Sequence, residues 1–573
     1  MEKFYVGIDI GDGETAVAVL TEHAVSPKMV ALGYKTPSIL SAVGFDKDDK
    51  PVIGENVVLS DKMTGQTVRF KSRFLTDASA GTDLLHFAQG LAKVLTNHSE
   101  LMSDQDEHRM IVGCPTGAGW TTDRRAQYAG IIRQALPICE QPVGESRAAF
   151  LYTRYSGDTN IPQELLNENA LVIDMGSSTT DLAYIVKGKE QIGVFGAEHL
   201  GGGLLDRALL DECVAKSSKC SEIKALFERV PSVRHRCEIT ARRIKEGYFT
   251  AQSNKAVFRQ RMYEILFYGK TRAEYTRLEL TVDEDGMNKL LNMPLEELNG
   301  RSYMESLREL LEHAREVTKE QLPNLVIMTG GASKMPFVQQ AVRAAFPNAV
   351  SACCDTPEHS IAQGLAFACR VDARMESFRR EIDDYTKSPL YEKQLDEALP
   401  ELVSALTATL SPSFVELLFS KDTRQVWSGA SALEIQAEED LHRRFFKDPK
   451  VQNALGTALV HWGKNSLNAM NEEIRRICSC YKVSNAQMPL PRAEGLTVKL
   501  PVFKLTPLIC AIGHMPLLGS LVKQQYVRST NAAMSDLLSD RTGAFYLTLR
   551  SGLKDGLRAD IDRRAKEVEI PIV

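Results

Sequence analysis

Apolar and polar positions follow one pattern twice. Residues 6–20 read VGIDIGDGETAVAVL and residues 171–185 read LVIDMGSSTTDLAYI. In each, an apolar strand runs into an Asp, one further residue and a Gly, then a short polar turn, and returns as a second apolar strand. Asp9 matches Asp174, and Gly11 matches Gly176. Alternation in Val17-Ala18-Val19 and Leu182-Ala183-Tyr184 predicts the returning strand of a hairpin. The spacing of the copies is far too long for a solenoid. It predicts two similar lobes, each opening with the same strand-turn-strand unit, the two turns facing each other across a cleft.

Helical and strand patterns alternate up to about residue 370, the signature of an α/β architecture. Beyond Arg370 the texture changes. Leu395, Leu399, Leu402, Leu406 and Leu410 recur at helical spacing, as do Leu467, Met470, Ile474, Ile477 and Tyr481. The Pro-Leu-Pro at 489–491 interrupts the pattern. The expected organisation is a first lobe over 1–170 completed by a helix at 357–370, a second lobe over 171–356, and a mostly helical region over 371–573.

Composition narrows the class. At 573 residues the chain exceeds one hydrophobic core, so three or four folding units are expected. A net charge of -5 removes the polycationic signature of a nucleic-acid binder. The 11 cysteines are scattered without paired spacing, which reads as reduced thiols; neither Cys353-Cys354 nor Cys478-Ser-Cys480 has a second pair at zinc spacing. The opening Met-Glu-Lys-Phe-Tyr-Val enters a strand directly, so no secretory leader and a cytoplasmic location are expected.

One apolar stretch stands apart. Residues 505–522, LTPLICAIGHMPLLGSLV, carry no Asp, Glu, Lys or Arg, a length borderline for crossing a bilayer. Pro507, Gly513, Pro516 and Gly519 break it, His514 sits near its middle, and no polybasic cluster flanks it. The pattern favours a buried or partner-binding hairpin over contact with a membrane.

The repeated Asp is the first chemical clue. A carboxylate at the end of a buried strand beside a tight turn needs a charged partner, and hydrated Mg2+ is one. The turns Gly11-Asp12-Gly13 and Gly176-Ser177-Ser178-Thr179 offer backbone N–H groups with little bulk, a cradle for phosphate. Either turn alone is equally an ordinary hairpin; two matched copies argue for the ligand. In VIMTGGASKMP, residues 326–336, a strand runs into Gly330-Gly331 and a helix, where the backbone can approach a planar ligand.

The strings GIDIG, IDMGSSTTD and TGGASKMPFV resemble, in order, the phosphate-1, phosphate-2 and adenosine motifs of the actin-like ATPase superfamily. Four more segments are similar to its heat-shock-70 branch: VGCPTGAGWTTDRRAQ (112–127), GESRAAFLY (144–152), HLGGGLLDRAL (199–209) and PEHSIAQGLAFA (357–368). The resemblance covers residues 1 to about 370. It implies a two-lobed actin-like, ribonuclease H-like ATPase domain that binds ATP or ADP with Mg2+, followed here by a mostly α-helical C-terminal domain.

Carried over by position, the resemblance implies that Asp9, Asp174 and Asp181 hold the waters of the Mg2+ and position the attacking water, with Glu145 helping to orient it. Lys71 would neutralise γ-phosphate charge, and Thr179 would bond the phosphate tail. Gly11, Asp12, Gly13, Gly176, Ser177, Ser178, Gly201 and Gly202 would line the phosphates. Lys245, Gly330, Gly331 and Lys334 would flank the adenosine. Pro115 with Arg124 or Arg125 would couple nucleotide to the C-terminal region. Taken alone, Lys71 reads as a solvated surface lysine, and Lys245, beside Arg242 and Arg243, as part of an exposed basic face.

The chain also departs from the family pattern. Asp12-Gly13-Glu14 stands where two hydroxyl residues are expected, and two extra carboxylates repel a triphosphate unless a metal or Lys compensates. Arg242 replaces an expected Glu and Lys334 an expected Arg. Residues 371–573 show no β-sandwich pattern. The reading is therefore a slow ATPase switch whose region 371–573 binds a protein partner or client. A nucleotide-controlled actin-like filament and a small-molecule kinase of the same superfold are the alternatives.

Overall fold

The computed structural model describes residues 2–568 apart from 34–35, 61, 99–106, 118, 140, 158–160, 163, 187–188, 191–194, 254–258, 269–273, 419–444, 446 and 490–519. Of the apolar stretch 505–522, residues 505–519 lie outside the described residues. Two compact units divide at Arg370/Val371.

In the first unit the repeated pattern becomes two sheets of the same plan. Lys3–Ile10 and Glu14–Thr21 pair antiparallel, with Asp9 opposite Ala16. Asn169–Met175 and Thr180–Val186 do the same, with Asp174 opposite Asp181. The turns close alike: Gly11 N–H donates to Glu14 O at 3.0 Å and Gly176 N–H to Thr179 O at 3.0 Å. On the far side of each first strand a parallel neighbour follows, Glu107–Cys114 in one sheet and Leu325–Thr329 in the other. A further parallel strand comes next, Val143–Gly144 or Val350–Cys353. Parallel strands need covered faces, which is why these runs are apolar throughout instead of alternating. Val6, Ile8, Ile10, Leu171, Val172 and Ile173 are all buried.

Helices cover the sheets. The start of helix Ser360–Lys387 lies so close to helix Glu145–Tyr155 that a Cβ on Gly364 would sit 1.9 Å from Ala148 O, so only glycine fits that crossing. Arg370 extends from it to the carbonyls of Thr21 (3.1 Å) and Ala24 (2.6 Å). In the second lobe, helices Gly202–Ala215 and Pro231–Ser253 pack with the hairpin Gln260–Phe267/Tyr275–Val282 around Leu204, Ala241, Leu266 and Leu280.

The second unit is helical, with no strand among the described residues. Leu395, Leu399, Leu402, Leu406 and Leu410 line one face of helix Pro389–Leu418, all nearly inaccessible, as the spacing predicted. Leu467, Met470, Ile474 and Ile477 bury the same way, and Tyr481 packs at their margin. Trp462, buried among them, donates its indole N–H to Ala398 O at 2.7 Å. Arg550 bridges to Asp396 at 2.5 Å and Glu392 at 3.3 Å, tying helix Ala544–Glu567 to helix Pro389–Leu418. The described cysteines are free thiols. No helix among the described residues is long and apolar enough to cross a membrane.

Candidate nucleotide site

The two equivalent hairpin turns meet. A Cβ on Gly13 would lie 3.0 Å from Ser177 Cβ, so the phosphate-1 and phosphate-2 turns face each other directly. Below them lies a cluster of charge. Lys71, on the short helix Phe70–Arg73, bonds Glu145 at 2.5 Å, and both are buried. Glu145 is the first residue of helix Glu145–Tyr155, where the N-terminal dipole favours a carboxylate. Desolvation opposes the Lys71 charge, yet Glu145, Tyr128 and Asp9 hold its pKa well above the usual lysine range.

Asp9, Asp174 and Asp181 share this space, each with an accessible edge but deep enough for desolvation to dominate. Burial pushes the Asp9 carboxyl up to about 7, with Lys71 pulling it down and Glu145 pushing it up. Asp174 is raised well above its ordinary value by burial and by Glu145, Asp181 and Asp9. Asp181 rises to about 6, chiefly through burial and then Glu145, while the Thr179 hydroxyl, donating at 2.9 Å, lowers it. Four acidic groups thus crowd one lysine. Such a set is short of positive charge, and a cation relieves it.

Among the described residues no three His, Cys, Asp or Glu side chains could hold a metal ion directly. The donor set fits a hard ion bound through its own waters and phosphate oxygens, the habit of Mg2+. Asp9, Asp174 and Asp181 are the side chains that would hold it in that way.

The glycines of the site are close approaches. Gly330 has φ 78°, and a Cβ there would fall 2.5 Å from Asp174 Oδ1. Gly202 N–H bonds Gly176 O at 3.0 Å and Gly203 N–H bonds Ser177 O at 2.7 Å, so the Gly201–Gly203 segment buttresses the second turn. Gly202, Lys245 and Ala332 converge: a Cβ on Gly202 would lie 3.2 Å from Lys245 Nζ and 3.3 Å from Ala332 Cβ. Lys245 is buried, not part of an exposed face; it bonds Asp206 at 2.7 Å and Gly202 O at 2.7 Å. Lys334 reaches Glu358 at 2.8 Å, beside Gly331.

The two extra carboxylates of the first turn have partners that the sequence did not suggest. Asp12 accepts from Ser72 N–H at 2.9 Å. Glu14 accepts from the Ser38 hydroxyl at 2.8 Å and pairs with Arg242 at 2.9 Å. Compensation therefore comes from an arginine of the opposite lobe and from neutral donors, where a metal or lysine was expected. One turn earlier on the Arg242 helix, Glu238 pairs with Arg69 at 2.5 Å. Of the two relay candidates, Arg124 is exposed beside Gln127, whereas Arg125 lies near the buried Cys114 next to Pro115.

Sequence reasoning missed Tyr128, Asp206, Glu238 and Arg69. Asp206 lies within the quoted HLGGGLLDRAL string and could have been flagged. Tyr128 could not: its ring is fixed by Trp120 and Phe74 at 5.4 and 5.6 Å, contacts made only by folding.

Two like sheets, each opening with an Asp-tipped hairpin whose turns meet at a cleft, define the two-lobed actin-like ATPase fold, with a helical C-terminal domain attached. The family model described as Hsp70 protein matches residues 148–381, from within helix Glu145–Tyr155 through the second lobe and into helix Ser360–Lys387. Residues 148–381 are thus Hsp70-like, the class of domain that binds ATP.

Proposed function

We propose that the chain is a slow, Mg2+-dependent ATPase switch that couples nucleotide state to a protein partner or client bound by residues 371–573, acting in the cytoplasm. The observation that carries this reading is the buried Lys71–Glu145 pair set among Asp9, Asp174 and Asp181 beneath two matched turns. Phosphoryl transfer to water demands positioning and charge neutralisation more than covalent chemistry. Mg2+, when bound, supplies positive charge to the phosphate oxygens. Lys71 faces the same oxygens with a charge that its surroundings keep permanently protonated. Glu145 fixes the Lys71 ammonium and offers its remaining acceptor capacity to water. The N–H groups of both turns hold the phosphate tail, and Lys245 with the Gly330–Gly331 loop holds the adenosine. Arg125, near Cys114 beside Pro115, is the relay residue by this reading.

The test is thermal unfolding of the full chain with and without Mg2+ and ATP. A ligand that binds only the folded state raises Tm, by the equivalent of about 3 kcal/mol at a hundredfold excess over Kd. No shift at millimolar ATP, roughly the cellular level, would refute nucleotide binding.

A further inference from the structure

The second unit holds a cavity of about 570 Å³ that the nucleotide chemistry does not use. It is a trough between two helices. Pro400, Ser404 and Ala408 form one wall, on helix Pro389–Leu418. Ala532, Ser535 and Ser539 form the other, on helix Ser520–Ser539. Each wall is a ridge at spacing of three or four residues, and the first spans about 12 Å at 1.5 Å per residue. Small side chains on both ridges leave room for a polypeptide backbone.

The polar groups at the trough are unmatched. Tyr546 is 5% exposed, yet it lines the cavity, and its hydroxyl has no hydrogen-bond partner among the described residues. Asn531 Oδ1 is buried with no partner among them either. The Tyr546 hydroxyl thus opens on the trough, while Asn531 keeps its Oδ1 buried. Asn531 therefore has its amide N–H groups to present to the trough, and the Tyr546 hydroxyl can likewise donate to an oxygen. At the same end stands Arg541, exposed and with no ion pair among the described residues. The turn that carries it is fixed, with Asp540 accepting from Thr542 N–H at 3.0 Å and from its hydroxyl at 2.7 Å. No Asp or Glu lines the cavity. Its charge is therefore uncompensated and positive.

We propose that this trough binds a peptide segment bearing a carboxylate. The carboxylate meets the Arg541 guanidinium, which matches it in a planar fork. Peptide or carboxylate oxygens accept from the Asn531 amide and from the Tyr546 hydroxyl. Acceptor oxygens beside an anion are the complement of these three donors. This rests on the reading of residues 371–573 as the partner-binding region and names where and what it binds.

The experiment titrates the full-length chain against a fluorescein-labelled pool of random hexapeptides ending in Glu with a free C-terminal carboxylate. Fluorescence anisotropy is the readout. The same pool with Gln and an amidated terminus is the control, and free sodium glutamate is the competitor. Saturable binding of the acidic pool is expected, weakened about tenfold or more by R541Q and about threefold to tenfold by Y546F, which keeps the ring. A408W, which fills the trough without altering charge, should abolish it. The Mg2+-ATP shift in Tm, measured on each variant, should be unchanged; this separates failure here from failure of nucleotide binding. No saturable binding up to about 1 mM, the weakest range of specific affinity, would overturn the proposal. So would equal binding by R541Q and A408W, or equal affinity for the amidated pool. Displacement by glutamate alone at the same concentration as the peptide would also overturn it, in favour of a free small acid.

Discussion

The two hairpins share a backbone and differ in charge. Both close through the same 3.0 Å bond across the turn, and both place an Asp one residue before the end of their first strand. The turn at 176–179 carries hydroxyls that serve the site themselves, Thr179 bonding Asp181 at 2.9 Å. The turn at 11–14 carries Asp12 and Glu14, which need the Ser72 N–H, the Ser38 hydroxyl and Arg242. Opposite Asp174 the second hairpin has Asp181, where the first has Ala16 opposite Asp9. Backbone geometry tolerates this divergence because strand pairing uses main-chain groups. Charge does not tolerate it without partners drawn from elsewhere.

The largest expected effect comes from the group that serves both hairpins. Lys71→Ala should lower ATP turnover about a hundredfold or more, the usual loss for a charge-stabilising group. It also leaves Glu145 buried without its partner, which destabilises by about 3–5 kcal/mol. Lys71→Ala with Glu145→Gln should recover most of the stability and none of the turnover. Single-turnover kinetics and chemical denaturation separate the two; restored turnover in the double variant would remove Lys71 from the chemistry.

The pairs across the cleft come next. Burial works to raise the Glu238 pKa, but His235, Arg69 and Arg234 overcome it and hold the carboxyl at about 2. A depressed carboxylate contributes stability above its unfolded pKa and loses it as pH falls through the folded one. That contribution, about 3 kcal/mol, should be complete above about pH 5 and vanish towards pH 2. Asp9, at about 7, has the opposite sign: its ionisation makes the nucleotide-free chain less stable as pH rises from about 4 to about 7. Glu238→Gln should lower stability above about pH 5 by about that amount and flatten the acid limb of the stability curve. An unchanged acid limb would show that the Arg69–Glu238 pair carries no stability.

A smaller effect tests the charge of the first turn directly. Arg242→Ala leaves Glu14 uncompensated beside the phosphates and should weaken ATP binding about threefold to tenfold; both groups are partly exposed, so the effect is screened. Glu14→Gln should strengthen it by a similar factor, and the double variant should return near the parent. Calorimetric titration measures all three, and a double variant as weak as Arg242→Ala alone would show that Glu14 is not the charge Arg242 offsets.

The smallest effect concerns fit. Gly13→Ala places a methyl 3.0 Å from Ser177 Cβ and should lower Tm by the equivalent of about 1 kcal/mol. Ser177→Gly should relieve it. A Tm unaffected by Gly13→Ala would show that the turns separate freely.

The duplicated hairpin, the glycine loops and the helical texture after residue 370 were legible because they are local. Strand alternation, an Asp beside a Gly turn and leucines at helical spacing need only a few neighbouring residues to be recognised. The helix face of Leu395 to Leu410 formed as its spacing implied, despite Pro400 and Pro412 within the helix. The site residues Asp9 and Asp174 were visible for the same reason. What the sequence could not settle was whether Lys71 and Lys245 are solvated, since a lone lysine in a string usually is. Folding buries both, one against Glu145 74 positions away and the other against Asp206. Arg242 and Glu14, Arg69 and Glu238, and the trough of Tyr546, Asn531 and Arg541 belong to the same category. Their meaning lies in which charges and unmatched polar atoms face one another across segments distant in sequence. Periodicity along a chain reports which face of an element is buried; the partner waiting on the other side is decided by packing alone.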